Sequence, residues 1–263
     1  MNRSPEEVQA RADILRIGLF LHQKSLVAAS DGNISVRLGD GRIVATPTSM
    51  SKGLMTDDDL VVTDLEGRKI EGTRNPSSEM AMHALIYQLR PEIGGVVHAH
   101  PPAATGFAAA GIALNQALLA EVVLALGCIP LAAYGTTGTP ELSATLRPLI
   151  PSHDAILMAN HGVVAYGDDV WKAYFKMETV EHFARIALVT HLLGRQNLLG
   201  REEVDKLILA RQRYEGTASG SLAAAGLGPN CPITAPEAPE RPAVAAASGA
   251  MTAKNLANGK RRW

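Results

Sequence analysis

Two β-rich runs on either side of Gly39-Asp40-Gly41 constrain the fold of this chain more than any other feature. The first run, Ile-Ser-Val-Arg-Leu, ends at Leu38, and the second, Arg-Ile-Val-Ala-Thr, begins at Arg42. Glycine and aspartate tolerate positive φ, which a tight hairpin turn requires. The pattern therefore predicts an antiparallel hairpin, and Glu66-Gly67 predicts a second one in the same way.

Helical periodicity occurs before the first of these hairpins and after the second. Ser4 and Glu7 predict a capping box, in which Glu7 reaches back to the start of a first helix. The apolar face predicted for this helix comprises Val8, Ala12, Leu15 and Leu19. A second helix, beginning near Ser77 or Ser78, has apolar residues at positions i, i+3, i+4 and i+7, which are Met82, Leu85, Ile86 and Leu89. The spacing predicts a mixture of helices and strands.

Composition excludes several classes of function. The chain has 25 Lys and Arg against 26 Asp and Glu, and aromatic residues make up 4%. Without a basic field or stacking platforms, nucleic-acid binding is disfavoured. The apolar stretch from Ile112 to Tyr134 contains polar and helix-breaking residues, so a membrane span is not expected. The N-terminal residues lack the apolar core of a secretory signal, which predicts a cytoplasmic protein.

The composition changes at Gly216. Residues 216–263 are rich in Ala, Pro and Gly and lack apolar periodicity. Such a segment cannot repay the conformational entropy of ordering. We therefore expect one folded domain over residues 1–215 and a disordered tail over residues 216–263.

Val96-Val97-His98-Ala99-His100 carries the strongest chemical signal. In a strand, residues two apart project from the same face, so these two imidazoles can converge on one metal ion. Histidines at such positions are also commonly ordinary polar residues. His161, between Asn160 and Gly162, offers a third imidazole, although a turn histidine is usually structural. Three imidazoles and one carboxylate suit a borderline divalent ion such as zinc.

Glu79 follows Ser77-Ser78 at the predicted start of the second helix. An acidic residue there stabilises the helix dipole, and serines there are ordinary caps. The same residues could instead supply a general base beside an anion site, because helix N-termini bind phosphate. Asp31-Gly32-Asn33 and Thr46-Pro47-Thr48-Ser49 offer further donors, although each is also an ordinary turn signal. The residues alone predict a candidate site for a metal and an anion.

These motifs together resemble the class II aldolase/adducin family, most closely its L-fuculose-phosphate aldolase branch. Six segments follow the family's order from about Val8 to Tyr214: Ser30-Asp31-Gly32-Asn33-Ile34-Ser35, Thr46-Pro47-Thr48-Ser49, Pro76-Ser77-Ser78-Glu79, His98-Ala99-His100-Pro101, Pro130-Leu131-Ala132-Ala133-Tyr134-Gly135 and Asn160-His161-Gly162. Each segment is a weak signal, but six in order are specific. The resemblance implies a catalytic domain over residues 1–215, with an α/β fold. Its architecture would be a three-layer α/β/α sandwich around a mostly antiparallel sheet, assembled as a homotetramer with active sites between subunits.

The resemblance also implies roles for individual residues. A divalent metal would be bound by His98, His100 and His161. This ion is typically Zn2+, with Mn2+, Fe2+ or Co2+ as alternatives. Glu79 would be a fourth ligand at rest and then the catalytic base at the carbon next to the carbonyl. The phosphate of the substrate would be bound at the matching positions, which are Gly32, Asn33, Thr48, Ser49, Ser77 and Ser78. Ser49 differs from the glycine common in the family.

Two tyrosines complete the site that the resemblance implies. Tyr134 matches a tyrosine that acts from the neighbouring subunit on the hydroxyl of the departing aldehyde. Tyr214 falls where the family has a tyrosine on its C-terminal segment. The expected reaction is the cleavage of a ketose 1-phosphate into dihydroxyacetone phosphate and an aldehyde. L-Fuculose, 5-deoxyribulose and methylthioribulose 1-phosphates are all compatible with these motifs.

Three alternatives stay open at this point. A sugar-phosphate 4-epimerase would use similar histidines, but it needs an Asp that the Gly111–Gly135 segment lacks. A 3-oxo-tetronate 4-phosphate decarboxylase passes through a similar enolate, and motifs separate it poorly from an aldolase. An adducin-like interaction module lacks an intact histidine set, so His98, His100 and His161 argue against it. No role is predicted for His83, which is expected on a helix away from these motifs.

Overall fold

The structure is a computed structural model that describes the backbone of residues 3–214 and the side chains of residues 3–210. The predicted tail, residues 216–263, lies outside the described residues. Within the described part, no helix combines the length and apolar character needed to cross a membrane. A cytoplasmic location stays a prediction.

The chain contains a mixture of helices and strands, as the sequence pattern predicts. The helices are α1 (Pro5–Gln23), α2 (Met80–Leu89), α3 (Pro102–Ala109), α4 (Ala120–Ala125), α5 (Pro140–Leu146), α6 (Val170–Leu192) and α7 (Arg201–Tyr214). The strands are β1 (Asn33–Arg37), β2 (Ile43–Ala45), β3 (Val61–Thr63), β4 (Lys69–Glu71), β5 (Gly95–Ala99), β6 (Leu131–Ala132), β7 (Ala155–Met158) and β8 (Gly162–Gly167). Short 3-10 helices lie at Asp57–Asp59 and Ile150–Ser152.

The eight strands form one sheet in the order β4-β3-β2-β1-β5-β8-β7-β6. All neighbouring strands are antiparallel except β6 and β7. Both predicted hairpins are confirmed: β1 pairs with β2, and β3 pairs with β4. Gly41 and Gly67 adopt positive φ in these turns, at 85° and 82°. The mostly antiparallel sheet is therefore confirmed.

Helices cover both faces of the sheet. Alternate residues of β5 point to opposite faces, so Val97 packs with α1 and α6, while Val96 packs with α2 and α5. Val163 and Val164 of β8 divide in the same way. The three-layer α/β/α arrangement is confirmed, and most of its buried core is aliphatic.

The structure corrects two predictions for α1. Val8 and Leu19 are exposed, at 54% and 40%. The buried face is offset from the predicted one and comprises Ala10, Ile14, Ile17, Gly18 and Leu21. Ser4 caps the helix by accepting from the Glu7 backbone N–H at 3.2 Å. The Glu7 carboxylate instead accepts hydrogen bonds from Arg11 and Arg42 at 2.9 and 3.0 Å, because two guanidinium groups outcompete one backbone N–H.

Candidate metal and anion site

The central strand β5 places the first two histidines. His98 lies on the same face as Val96, beneath α2, and its side chain is fully buried. Its Nδ1 lies 2.8 Å from the carbonyl oxygen of Val163 on β8. A carbonyl only accepts, so Nδ1 carries a proton and Nε2 faces the site. His100 follows the strand, and its Nε2 lies 3.1 Å from His98 Nε2.

His161 lies in the turn between β7 and β8. Asn160 adopts φ of 55°, a left-handed conformation that asparagine tolerates better than most residues. The backbone N–H of His161 donates to the carbonyl of Met158 at 3.0 Å and closes the turn. Because β8 pairs with β5, the tight turn brings His161 beside His98 and His100. Ligand nitrogens of the three rings lie within 4.8 Å of one another.

Glu79 completes this cluster from the start of α2. Its Oε2 lies 3.2 Å from His98 Nε2, and its Oε1 lies 3.1 Å from His161 Nε2. Oε1 is buried and makes no hydrogen bond. A buried carboxylate oxygen without a donor, facing imidazole nitrogens, is a fitting ligand set for a divalent cation. The residues present therefore fit a metal ion.

The loop before α2 holds the Glu79 carboxylate in place. Glu79 is the residue immediately before the first helical residue, Met80, so it lies one position earlier than the predicted first turn. Its backbone N–H donates to Ser77 Oγ at 3.2 Å. Asn33 Nδ2 donates to Ser77 Oγ at 3.1 Å and to Glu79 Oε2 at 2.8 Å. The amide of Asn33 thus orients the carboxylate towards the histidines.

Charges within this cluster perturb one another. Burial raises the pKa of Glu79, but the adjacent His98 and His161 rings outweigh it and lower that pKa well below its ordinary range. Burial and the neighbouring His98 lower the pKa of His100 to about 4, although Asp31 acts against them from 3.3 Å. Strong mutual perturbation in a cleft is typical of functional sites.

A buried hydrogen-bonded chain extends behind Asn33, and no sequence motif predicted it. His83 Nε2 donates to Asn33 Oδ1, since both hydrogens of the Asn33 amide are directed towards other acceptors. His83 Nδ1 therefore accepts from Ser35 Oγ at 2.7 Å, and Ser35 contacts Tyr87 Oη at 2.8 Å. Burial lowers the pKa of His83 to about 3, so the ring is neutral. The i, i+4 spacing of Glu79 and His83 was the available signal.

A cavity of about 290 Å³ opens beside the cluster. It is lined by Glu79, His100 and His161 and by all six residues that the resemblance assigns to phosphate. The six phosphate-binding candidates are Gly32, Asn33, Thr48, Ser49, Ser77 and Ser78. Thr137, from the loop before α5, also lines it and was not predicted. The cavity wall thus combines hydroxyl groups with the metal-binding candidates.

Backbone geometry explains two of these positions. Ser49 adopts φ of 54°, a left-handed region that glycine enters without strain, so a glycine would fit this position at least as well as serine. Gly32 has φ of 73°, and a Cβ atom there would lie 2.7 Å from the carbonyl oxygen of His98. Gly32 is therefore required for the close approach of its loop to β5.

The two predicted tyrosines lie apart from this cavity. Tyr134 follows β6, is 61% exposed and does not line the cavity of its own chain. Tyr214 ends α7, and its side chain lies outside the described residues. The candidate site within the described residues thus comprises the histidine cluster with Glu79 and the cavity beside it.

Comparison with known families agrees with this arrangement. Residues 12–188 match the family model described as Class II Aldolase and Adducin N-terminal domain. The chain belongs to this family. The match includes β1, β5, β8 and the helix that follows Glu79, so it covers every described residue of the histidine cluster and the cavity.

Individual relatives have related but different activities. The chain is 34% identical to an L-fuculose phosphate aldolase of Methanococcus maripaludis, over 69% of this chain and 97% of the relative. It is 31% identical to a 5-deoxy-D-ribulose 1-phosphate aldolase of Bacillus thuringiensis, over 78% of this chain and 95% of the relative. It is 32% identical to a 3-oxo-tetronate 4-phosphate decarboxylase of Pectobacterium atrosepticum, over 70% of this chain and 85% of the relative.

A solved structure of an L-fuculose 1-phosphate aldolase aligns with a TM-score of 0.73 and 28% identity, covering 81% of this chain and 98% of that one. The predicted fold is confirmed by this alignment. Family membership and the aldolase relatives support a lyase activity that depends on a metal and takes a phosphorylated sugar.

Proposed function

We propose that this protein is a metal-dependent aldolase that cleaves a ketose 1-phosphate into dihydroxyacetone phosphate and an aldehyde. The convergence of Glu79 and three imidazoles beside a hydroxyl-lined cavity carries this proposal. A carboxylate base, a Lewis-acid site and an anion pocket are the parts that such a cleavage needs. The ketose is of the L-fuculose, 5-deoxyribulose or methylthioribulose 1-phosphate type.

The metal is proposed to be Zn2+, held by His98, His100 and His161 with Glu79 as the fourth ligand at rest. Imidazole and carboxylate donors suit zinc, while Mn2+, Fe2+ and Co2+ accept the same donors. When bound, the ion would polarise the substrate carbonyl and stabilise the negative charge that develops as the carbon–carbon bond breaks. This chemistry needs no catalytic lysine.

Glu79 is proposed to move the proton at the carbon next to the carbonyl. In the cleavage direction it returns a proton to that carbon of the enediolate, and in the synthesis direction it removes the same proton. Asn33 would keep the carboxylate aimed at this carbon, since its amide donates to Glu79 Oε2. The neutral His83 ring fixes the orientation of that amide.

The phosphate group of the substrate is proposed to occupy the cavity of about 290 Å³. Its hydroxyl donors would be Thr48, Ser49, Ser77 and Ser78. The backbone at Gly32 and Asn33 lies at the same wall, so the phosphate would be held at a fixed distance from Glu79. Fixed positioning of this kind lowers the entropic cost of the reaction.

The aldehyde end of the substrate is proposed to meet Tyr134 from a neighbouring subunit of a homotetramer. Tyr134 is exposed and lies outside the cavity of its own chain, which supports action across a subunit boundary. In the synthesis direction its phenol would donate a proton to the aldehyde oxygen, and in the cleavage direction the resulting phenolate would take that proton back from the substrate hydroxyl. Tyr214 is a further candidate on the C-terminal side.

Decarboxylation of a 3-oxo-tetronate 4-phosphate is a second candidate. The decarboxylase relative is 32% identical, within two percentage points of the aldolase relatives. The epimerase alternative is weaker, because the Gly111–Gly135 segment has no Asp. The intact histidine cluster weighs against an adducin-like module without catalysis.

One panel experiment tests these proposals. Zinc-loaded protein is incubated with the three ketose 1-phosphates and with 3-oxo-tetronate 4-phosphate, while dihydroxyacetone phosphate and carbon dioxide are measured. We expect dihydroxyacetone phosphate from at least one ketose, and metal analysis near one zinc per chain. Equal amounts of carbon dioxide and dihydroxyacetone phosphate from 3-oxo-tetronate 4-phosphate, with no product from any of the ketose 1-phosphates, would establish the decarboxylase instead. No product from protein that holds metal would contradict both.

A further inference from the structure

Lys52 is a buried cation near the proposed anion cavity. Its side chain is almost fully buried, with 1% exposure for the residue. Burial is the largest influence on its ammonium and lowers the pKa of Lys52 to about 8, against the opposing charges of Asp31 and Glu79. Neither carboxylate is hydrogen-bonded to it within the described part of the chain. A buried ammonium that is not paired with a carboxylate is unfavourable unless other groups compensate it.

Two backbone carbonyls supply part of that compensation. Lys52 Nζ donates to the carbonyl oxygen of Ser30 at 2.9 Å and to that of Met50 at 2.6 Å. Ser30 precedes Gly32 and Asn33, and Met50 follows Thr48 and Ser49. The ammonium therefore connects the two loops that form one wall of the cavity.

The cavity itself lacks a cationic side chain of the Lys or Arg type among the residues that line it. Its lining provides hydroxyls, an amide, two imidazoles and the two carboxylates of Asp31 and Glu79. Apart from the proposed metal ion, the lining gives a doubly charged phosphate no fixed positive charge to oppose these two carboxylates. Lys52, directly behind both loops, is placed to provide that charge.

We propose that Lys52 is the positioning cation of the anion site: it ties the two loops together and supplies the positive charge that favours a dianionic ligand. This inference rests on the proposed function only in taking the ligand to carry a phosphate group. Lys52 does not contact the reacting atoms. Its expected effect is on phosphate binding, and the histidine cluster should keep its metal affinity.

Two variants separate the charge from the loop connection. Lys52→Met removes both the charge and the hydrogen bonds, while Lys52→Gln removes the charge and keeps an N–H donor for the carbonyls. Lys69→Gln is the matched control, because Lys69 is exposed and bonds only the Arg74 carbonyl within the described region. The probe is inorganic phosphate, titrated calorimetrically into each zinc-loaded protein, with zinc affinity measured separately.

We expect both Lys52 variants to bind phosphate at least about tenfold more weakly, or about 1.4 kcal/mol. Zinc affinity should be unchanged, and Lys69→Gln should match the wild type. A folded Lys52→Gln protein with wild-type phosphate affinity would overturn the proposal and leave Lys52 as a loop connection only. Failure of the wild type to bind phosphate would also overturn it. Absence of aldol cleavage with phosphate binding intact would contradict the proposed function alone.

Discussion

Replacing Gly162 with alanine should disrupt the histidine cluster through a steric clash. A Cβ atom at this position would lie 2.6 Å from the Ala99 carbonyl oxygen, 2.6 Å from His100 Cδ2 and 3.3 Å from His98 Cε1. Ordinary contact begins at 3.4 Å, so the closest neighbours fall short by 3.4 − 2.6 = 0.8 Å. One of them is backbone, so β5, the His100 ring or the turn that carries His161 must move, and each of these holds a ligand of the cluster.

The size of that movement sets the expected loss. A catalytic constellation tolerates displacements of about 0.5 Å, and a misplacement of about 1 Å costs roughly a hundredfold in rate. We therefore expect Gly162→Ala to lower kcat/KM by about 10²-fold and zinc affinity by about 10-fold or more. The strain should also lower the free energy of unfolding by about 1–3 kcal/mol.

Zinc affinity, measured by competition with a chelating dye, and urea unfolding of the metal-free protein test these values. Gly106→Ala is the matched control, because Gly106 lies in α3 and a Cβ atom there would meet no neighbouring atom within 4 Å. This control should be stabilised by about 0.5–1 kcal/mol and bind zinc normally. If Gly162→Ala also bound zinc with wild-type affinity, the steric reasoning would be refuted.

The site leads to three further predictions. The folded state holds His83 neutral with a pKa of about 3, so unfolding takes up a proton below the ordinary value of 6.5, and stability falls as the pH falls. Urea unfolding at pH 6.5 and at pH 5 should show a loss of stability that is about 1.6 kcal/mol smaller in His83→Gln than in the wild type. Equal losses in the two proteins would contradict a neutral His83. Tyr134→Phe should lower kcat at least about 10²-fold without loss of the metal. Mixing this variant with Glu79→Gln subunits should restore activity, because some sites would then combine an intact Glu79 with an intact Tyr134. Mixtures that stay inactive would count against action across subunits. Exhaustive chelation should abolish cleavage and added zinc should restore it, whereas activity in metal-free protein would exclude the proposed chemistry.

Local signals predicted the parts of the fold that depend on local chemistry. The turn at Gly39-Asp40-Gly41 and the Asn160-His161-Gly162 turn need particular backbone angles, and residue identity reports those angles directly. The predicted buried face of α1 was wrong because that helix carries apolar residues on more than one side. Which side packs is decided by the sheet, and Val8 and Leu19 are left exposed.

Contacts between distant parts of the chain also limited what the sequence could predict about the site. His98, His100 and His161 were predicted as a cluster from their chemistry, and the structure brings their ligand atoms together. Lys52 and His83 were missed because their importance comes from burial and from partners far along the chain. Asn33, for example, lies 50 residues from His83. No local sequence pattern indicates such a contact.

The order of the central strands links metal binding to the whole fold. Asn33 on β1, His98 on β5 and His161 beside β8 become neighbours only when three strands from distant parts of the chain have paired. An unfolded chain therefore offers the ion scattered ligands rather than a site. Zinc at about 100 times its dissociation constant should stabilise the entire domain by about 2.7 kcal/mol. The cellular supply of the bound metal would then affect how much of this protein survives, as well as how fast it works.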